Sequence, residues 1–157
     1  MNEIYNFEQL GRQISEVDHV IDRWIKKLGL NYNSYAVLYS LASSEDFKTT
    51  QKQICEDWML PKQTVFNVCK EFRERGWIEL IDSPHDKRER ILHLTPQGKA
   101  KAMPVFHASQ TLSERTFNIF GEERSARLFT LLAEFCEACG QEIDKMPFEK
   151  DASCGRL

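Results

Sequence analysis

The sequence predicts a mainly α fold with one small β-hairpin, and three observations carry that prediction. From Thr50 to Leu94 two short helical segments, joined tightly, run into two strand-forming stretches around a charged tip. Apolar residues recur every three or four positions over residues 4–28 and again over 128–143, the mark of helices with one apolar stripe. Residues that start and stop helices stand where these patterns need them, threonine or proline before and glycine after.

The first segment carries Ile4, Phe7, Leu10, Ile14, Val17, Ile21, Trp24 and Leu28, a near-heptad seam. Such a seam either folds back on the chain's own core or packs on a second copy. The second is expected, because the far end of the chain repeats the pattern. Gly29 ends this helix, and Asn31-Tyr32-Asn33 opens another running to about Ala42, with Tyr35, Val37, Leu38 and Leu41 as its apolar set. Ser43 to Asp46 reads as a loop, and Phe47-Lys48-Thr49 as a short edge strand pairing with the hairpin.

Thr50 is the expected N-cap of a helix from Gln51 to Trp58. Met59 and Leu60 lead to Pro61, whose fixed φ suits the first turn of the next helix, Pro61 to Arg75, with Gly76 at the left-handed stop. Val65, Val68, Cys69 and Phe72 fall on its inner face. The outer face presents Gln63, Asn67, Lys70 and Glu74, with Lys62 and Thr64 near the positive helix end. Amides pair bidentately with adenine, and lysines reach guanine or phosphate. A polar face alone is equally the mark of any solvated amphipathic helix.

Trp77 to Ile81 and Arg90 to Leu94 are rich in strand formers, and the connection from Asp82 to Glu89 is turn chemistry followed by dense charge. Helix, turn, helix and hairpin in this order predict a winged helix-turn-helix. In that arrangement the second helix enters the major groove of double-stranded DNA while the basic wing, with Lys87, Arg88 and Arg90, reaches the neighbouring minor groove or backbone.

Thr95 and Pro96 open a long helix reaching about Phe120, and Pro104 inside it is expected to kink or split it near Met103. Gly121 breaks the chain, and Glu122 and Glu123 start a final helix with Leu128, Leu131, Leu132, Phe135, Cys136, Cys139 and Ile143 on one stripe. The expected organisation is a winged helix-turn-helix over residues 31–99, N- and C-terminal dimerisation helices over 1–30 and 100–146, and a disordered tail over 147–157. Two spare apolar stripes flanking a DNA-reading centre suit a twofold homodimer, which sets two recognition helices about 34 Å apart on a pseudo-palindrome.

At this point the residues resemble a known family. Ile54-Cys55-Glu56-Asp57-Trp58-Met59-Leu60-Pro61-Lys62-Gln63-Thr64-Val65, followed by Glu71-Phe72-Arg73-Glu74-Arg75-Gly76-Trp77-Ile78, resembles the recognition unit of MarR-type regulators. Asp86-Lys87-Arg88 with Leu94-Thr95-Pro96-Gln97-Gly98 resembles that family's wing, Asp-x-Arg and then Leu-Thr-x-x-Gly. The likeness spans roughly Leu30 to Lys101. Two departures stand out: Pro61 replaces the usual N-cap serine, and Leu80 holds a position that is commonly basic. The resemblance implies a transcriptional regulator, more often a repressor, released from DNA by small phenolic or aromatic acids bound between the dimer region and the winged domain. Trp24, Tyr32, Tyr35, Tyr39, Phe106 and His107 are the candidate lining for such an effector, although aromatics at helical spacing are more often plain core. The cysteine of the peroxide-sensing branch has no counterpart, since no cysteine precedes Cys55.

Composition agrees with a one-domain globular chain: 157 residues, 41% hydrophobic, 29% charged. No apolar run is long enough for a membrane span and no secretory signal is evident, so a cytoplasmic protein is expected. The formal net charge of −3 is unusual for a DNA binder, but residues 61–101 carry a surplus of three positive charges while the remainder is acidic. Five cysteines, an odd number, do not make a disulfide framework. Cys136-x-x-Cys139 lies mid-helix without a second ligand pair, so neither zinc nor a thiol oxidoreductase is expected; no cofactor and no metal is implied. Asp18, His19, Asp22 and His107 are not expected to form a metal set, because Asp18 and His19 are adjacent and diverge on a helix. The alternative to a DNA-binding regulator is a winged helix turned protein-interaction module.

Overall fold

The computed structural model describes residues 6–83 and 90–147. Six helices and a three-stranded antiparallel sheet follow in the order α1 (Phe7–Lys27), α2 (Tyr32–Ser43), β1 (Lys48–Thr50), α3 (Gln51–Trp58), α4 (Lys62–Glu74), β2 (Ile78–Asp82), β3 (Arg90–Leu94), α5 (Pro96–Phe120) and α6 (Glu122–Lys145). The chain forms one compact unit through Gln110 and a second from Thr111 onward. Among the described residues no helix is long and apolar enough to cross a membrane.

Thr50 caps α3 as the sequence expects, Asn31 opens α2 as a cap, and Asn6, which the sequence reading did not name, caps α1. Asn6, Asn31 and Thr50 each accept a backbone N–H three residues on, at Gln9, Ser34 and Gln53. Gly29 and Gly76 follow α1 and α4 with φ of +73° and +70°, where a side chain would be strained. Gly121, at φ +96°, separates α5 from α6.

In the first unit the core is built from α2, α3, α4 and the sheet. Val37, Leu38, Leu41, Ile54, Val65, Val68, Cys69, Phe72, Ile78, Leu92, Leu94 and Ala102 are buried together. Strand order is β1-β3-β2, with Thr49 opposite Leu92 and Leu80 opposite Leu92 from the other side. The edge strand expected before α3 thus exists, pairing with the hairpin one residue later than the sequence placed it.

Differences from the sequence reading have physical causes. Pro61 is not in α4 but before it: its ψ of 141° is extended, and its carbonyl accepts the first helical bond from Val65. β2 starts at Ile78 rather than Trp77 because the Trp77 N–H is spent on the Phe72 carbonyl, closing α4. Finally, α5 is not split near Met103: it runs unbroken through Pro104. A proline forfeits one backbone bond and crowds the preceding turn, roughly 3 kcal/mol. The flanking turns are held, with Ala102 buried and Met103 and Phe106 packed on the core.

The heptad stripe of α1 leaves out the residue of this helix that is buried in the unit. That residue is Ile25, fully buried, while the stripe members Phe7, Ile14, Val17 and Ile21 are exposed. In the second unit none of the residues of α6 is buried, and Leu128, Leu131, Leu132, Phe135 and Ile143 all face solvent.

Candidate nucleic-acid interface

The helix-turn-helix is held by a tight connection. Thr50 caps α3, and Met59, in the left-handed region at φ 50° and ψ 38°, donates its N–H to Cys55 O, which also receives the Leu60 N–H at 3.1 Å. An L-residue in this conformation costs about 1 kcal/mol relative to glycine. Met59 is 90% exposed, so side-chain packing does not repay that cost within the chain.

α4 is fastened by its inner face, Val65, Val68, Cys69 and Phe72, all buried. Burial pushes the Cys69 thiol up to about 12, with neighbouring Cys55 adding to the effect, so this sulfur behaves as an apolar group. With the inner face committed, helical geometry turns Lys62, Gln63, Asn67, Lys70 and Glu74 outward, and all are exposed; Thr64 is half-buried at the edge of this face. Gln63 Nε2 donates to Asn67 Oδ1 at 2.8 Å, one turn apart. That bond orders the amide pair and leaves Gln63 with a carbonyl oxygen and a second N–H, the acceptor and donor that adenine N6 and N7 require. Lys70 lies 4.0 Å from Glu74, an exposed pair that a phosphate can displace at little cost. Pro61 provides no side-chain acceptor at the start of α4, so this positive helix end is uncapped by its own side chain.

The wing stem is set by Thr95 and Gly98. Thr95 donates its hydroxyl to the Gly76 carbonyl at 2.6 Å, and its N–H to Trp77 O at 3.0 Å, while its hydroxyl oxygen accepts the Gly98 N–H at 3.0 Å. A Cβ on Gly98 would stand 1.8 Å from Trp77 O, so only glycine allows α5 to lie against the end of α4. Leu80, partly buried, packs on the core beside Leu92. At the loop end of the hairpin Arg90 faces Asp82 across the strands and pairs with its carboxylate. That contact engages Nη1 of Arg90 and leaves its other guanidinium N–H groups for a phosphate. Lys87 and Arg88 lie outside the described residues.

The candidate effector residues are brought together, and one more joins them. Tyr39 packs against Tyr35, Trp58 and Phe106 with ring centroids 5.6, 6.0 and 5.3 Å away, and Phe106 meets His107 at 5.7 Å. Trp58 also meets Tyr32 and Tyr35 edge-on, and donates its indole N–H to Ser40 at 2.8 Å. Trp24 donates to Ser109 at 3.1 Å. Burial raises the Tyr35 hydroxyl above its ordinary pKa, and a hydrogen bond with Ser109 offsets part of that rise. Trp58 escaped the sequence reading because helical spacing assigns it only to α3; its contacts with α2 are tertiary.

Phe66 was missed for the opposite reason. The reading of α4 sorted residues into apolar-inside and polar-outside, yet Phe66 is 49% exposed. An angular count of 100° per residue, applied without that sorting, places it between Lys62 and Lys70.

Comparison with known proteins bears on this arrangement. The family model described as MarR family matches residues 28–89. The structure of a MarR family regulator from Neisseria meningitidis is 42% identical, covers 92% of this chain and 99% of its own, and superposes with a TM-score of 0.79. A mutant MarR from E. coli, complexed with operator DNA, shares the fold at 22% identity and a TM-score of 0.63, over 81% of this chain and 93% of that one. The HTH-type transcriptional regulator Hpr of Halalkalibacterium halodurans is 25% identical over 118 residues, 74% of this chain, and the match spans 59% of that regulator's length.

Proposed function

Because the chain belongs to the MarR family of transcriptional regulators, we propose that it is a homodimeric repressor whose α4 reads pseudo-palindromic duplex DNA and which a small aromatic acid releases. The observation that carries DNA reading is the Gln63–Asn67 amide pair, ordered by its own hydrogen bond and held outward by four buried residues. Lys62, Thr64 and Lys70 surround it, and Arg90, with Lys87 and Arg88 of the wing sequence, adds phosphate contacts. The apolar stripes left in solvent on α1 and α6 support a second copy as the partner.

A gel shift on the DNA flanking the protein's own gene tests the reading. Asn67→Ala is expected to weaken sequence-specific binding at least about tenfold while leaving nonspecific binding nearly unchanged, the signature of a lost base contact. Equal binding of wild type and variant at every salt concentration shows that α4 is not the reading helix. A wild type that shifts no duplex even in dilute buffer favours the protein-interaction module instead.

The aromatic cluster of Trp24, Tyr35, Tyr39, Phe106 and His107, joined by Trp58, links α2, α3 and α5. A flat aromatic acid inserted among these rings would move α3 and with it α4. At millimolar aromatic acid the melting temperature is expected to rise by a few degrees, as binding to the folded state alone requires. No rise across a panel of benzoic, salicylic and hydroxynicotinic acids removes this part of the proposal.

A further inference from the structure

We infer that Phe66 is a specificity-determining residue of the DNA interface, reading the C5-methyl group of a thymine beside the base met by Gln63. The inference rests on the reading of α4 as the recognition helix and adds to it the class of base pair recognised.

Helical geometry places Phe66 four residues after Lys62 and four before Lys70, so the phenyl ring lies along one ridge between two ammonium groups. The adjoining ridge carries Gln63 and Asn67. Phe66 is 49% exposed and absent from the residues packed on the core. A half-exposed aromatic ring in the middle of a charged and amide-rich face forgoes burial free energy in the isolated protomer. One flanking ridge carries Gln63 and Asn67, and the other carries Arg73 and the buried Val65 and Cys69, so Phe66 is the exposed apolar side chain of α4 and offers an area one ring wide, which fits a single methyl rather than a protein surface. In the major groove only thymine offers such a group, and an aromatic or aliphatic side chain is its usual partner. The adenine chemistry of the Gln63 amide and the thymine chemistry of the Phe66 ring then combine to select A·T pairs within each half-site.

The test replaces the methyl rather than the protein. A duplex enriched by the wild-type protein from a randomised library is resynthesised with each thymine changed singly to uracil, which keeps the pairing edge and deletes the methyl. One position per half-site is expected to lose about fourfold in affinity for wild type, the value of one buried methyl. Phe66→Ala, shown to be folded by a cooperative thermal melt, is expected to bind the thymine duplex with the affinity wild type shows for the uracil duplex, and to be indifferent to the exchange. A wild type indifferent to uracil at every position overturns the inference while leaving DNA reading intact. So does a Phe66→Ala variant with the wild-type uracil penalty. A wild type that enriches no duplex overturns the interface itself, and this inference with it.

Discussion

Replacing Gly98 by alanine is expected to destabilise the protein by about 3 kcal/mol, against the helix-propensity trend. Within α5 alanine is favoured over glycine by about 1 kcal/mol. Here the added Cβ would meet Trp77 O at 1.8 Å and the Trp77 carbonyl carbon at 2.8 Å. Those atoms are backbone, so no rotamer change relieves the clash; either α5 lifts or the start of β2 shifts. Either movement breaks the bonds of Thr95 to Gly76 and Trp77. A thermal melt should show Tm lower by roughly 6–12 °C. A variant melting within a degree or two of wild type would mean that the contact of α5 with Trp77 is not as close as the structure places it. The Leu-Thr-x-x-Gly pattern thus has a physical content: threonine ties the helix start to the end of α4, and glycine lets it come near enough.

The paired substitution Leu128→Glu and Leu132→Glu is expected to convert the proposed dimer to an 18.4 kDa monomer and to lower operator affinity by two orders of magnitude or more. Both leucines are already exposed in the protomer, and glutamate is a good helix former, so α6 itself should persist. In an apolar seam between copies the same carboxylates would have to be desolvated without partners, at several kcal/mol each. The affinity loss follows because each half-site then binds alone, without the high effective concentration that a linked second site provides. Sedimentation and a gel shift read the two effects separately. A doubly substituted protein that remains dimeric, with unaltered affinity, locates the interface elsewhere.

Much of this protein could be read from one chain of letters because its signals are local. Caps at Asn31, Thr50 and Thr95, left-handed stops at Gly29 and Gly76, and the 3.6-residue alternation of α4 all depend on neighbours within a few positions. The outward set Lys62, Gln63, Asn67 and Lys70 followed directly, since a helix whose inner face is apolar has only one other face to show.

What the sequence could not decide depended on residues far along the chain. Trp58 joins Tyr32, Tyr35 and Tyr39 because α3 crosses α2 there, and Arg90 meets Asp82 because the hairpin register pairs them. Pro61 was drawn into α4 by its φ, which suits a helix, whereas its ψ is set by the direction in which the chain leaves Met59. Likewise Ile25, which the heptad stripe leaves out, is the fully buried residue of α1, since burial depends on which neighbour approaches and not on the period of the apolar residues. Periodicity along the chain therefore determined which faces exist. Which of them are covered, and which, like that of Phe66, remain in solvent, was decided only by long-range packing.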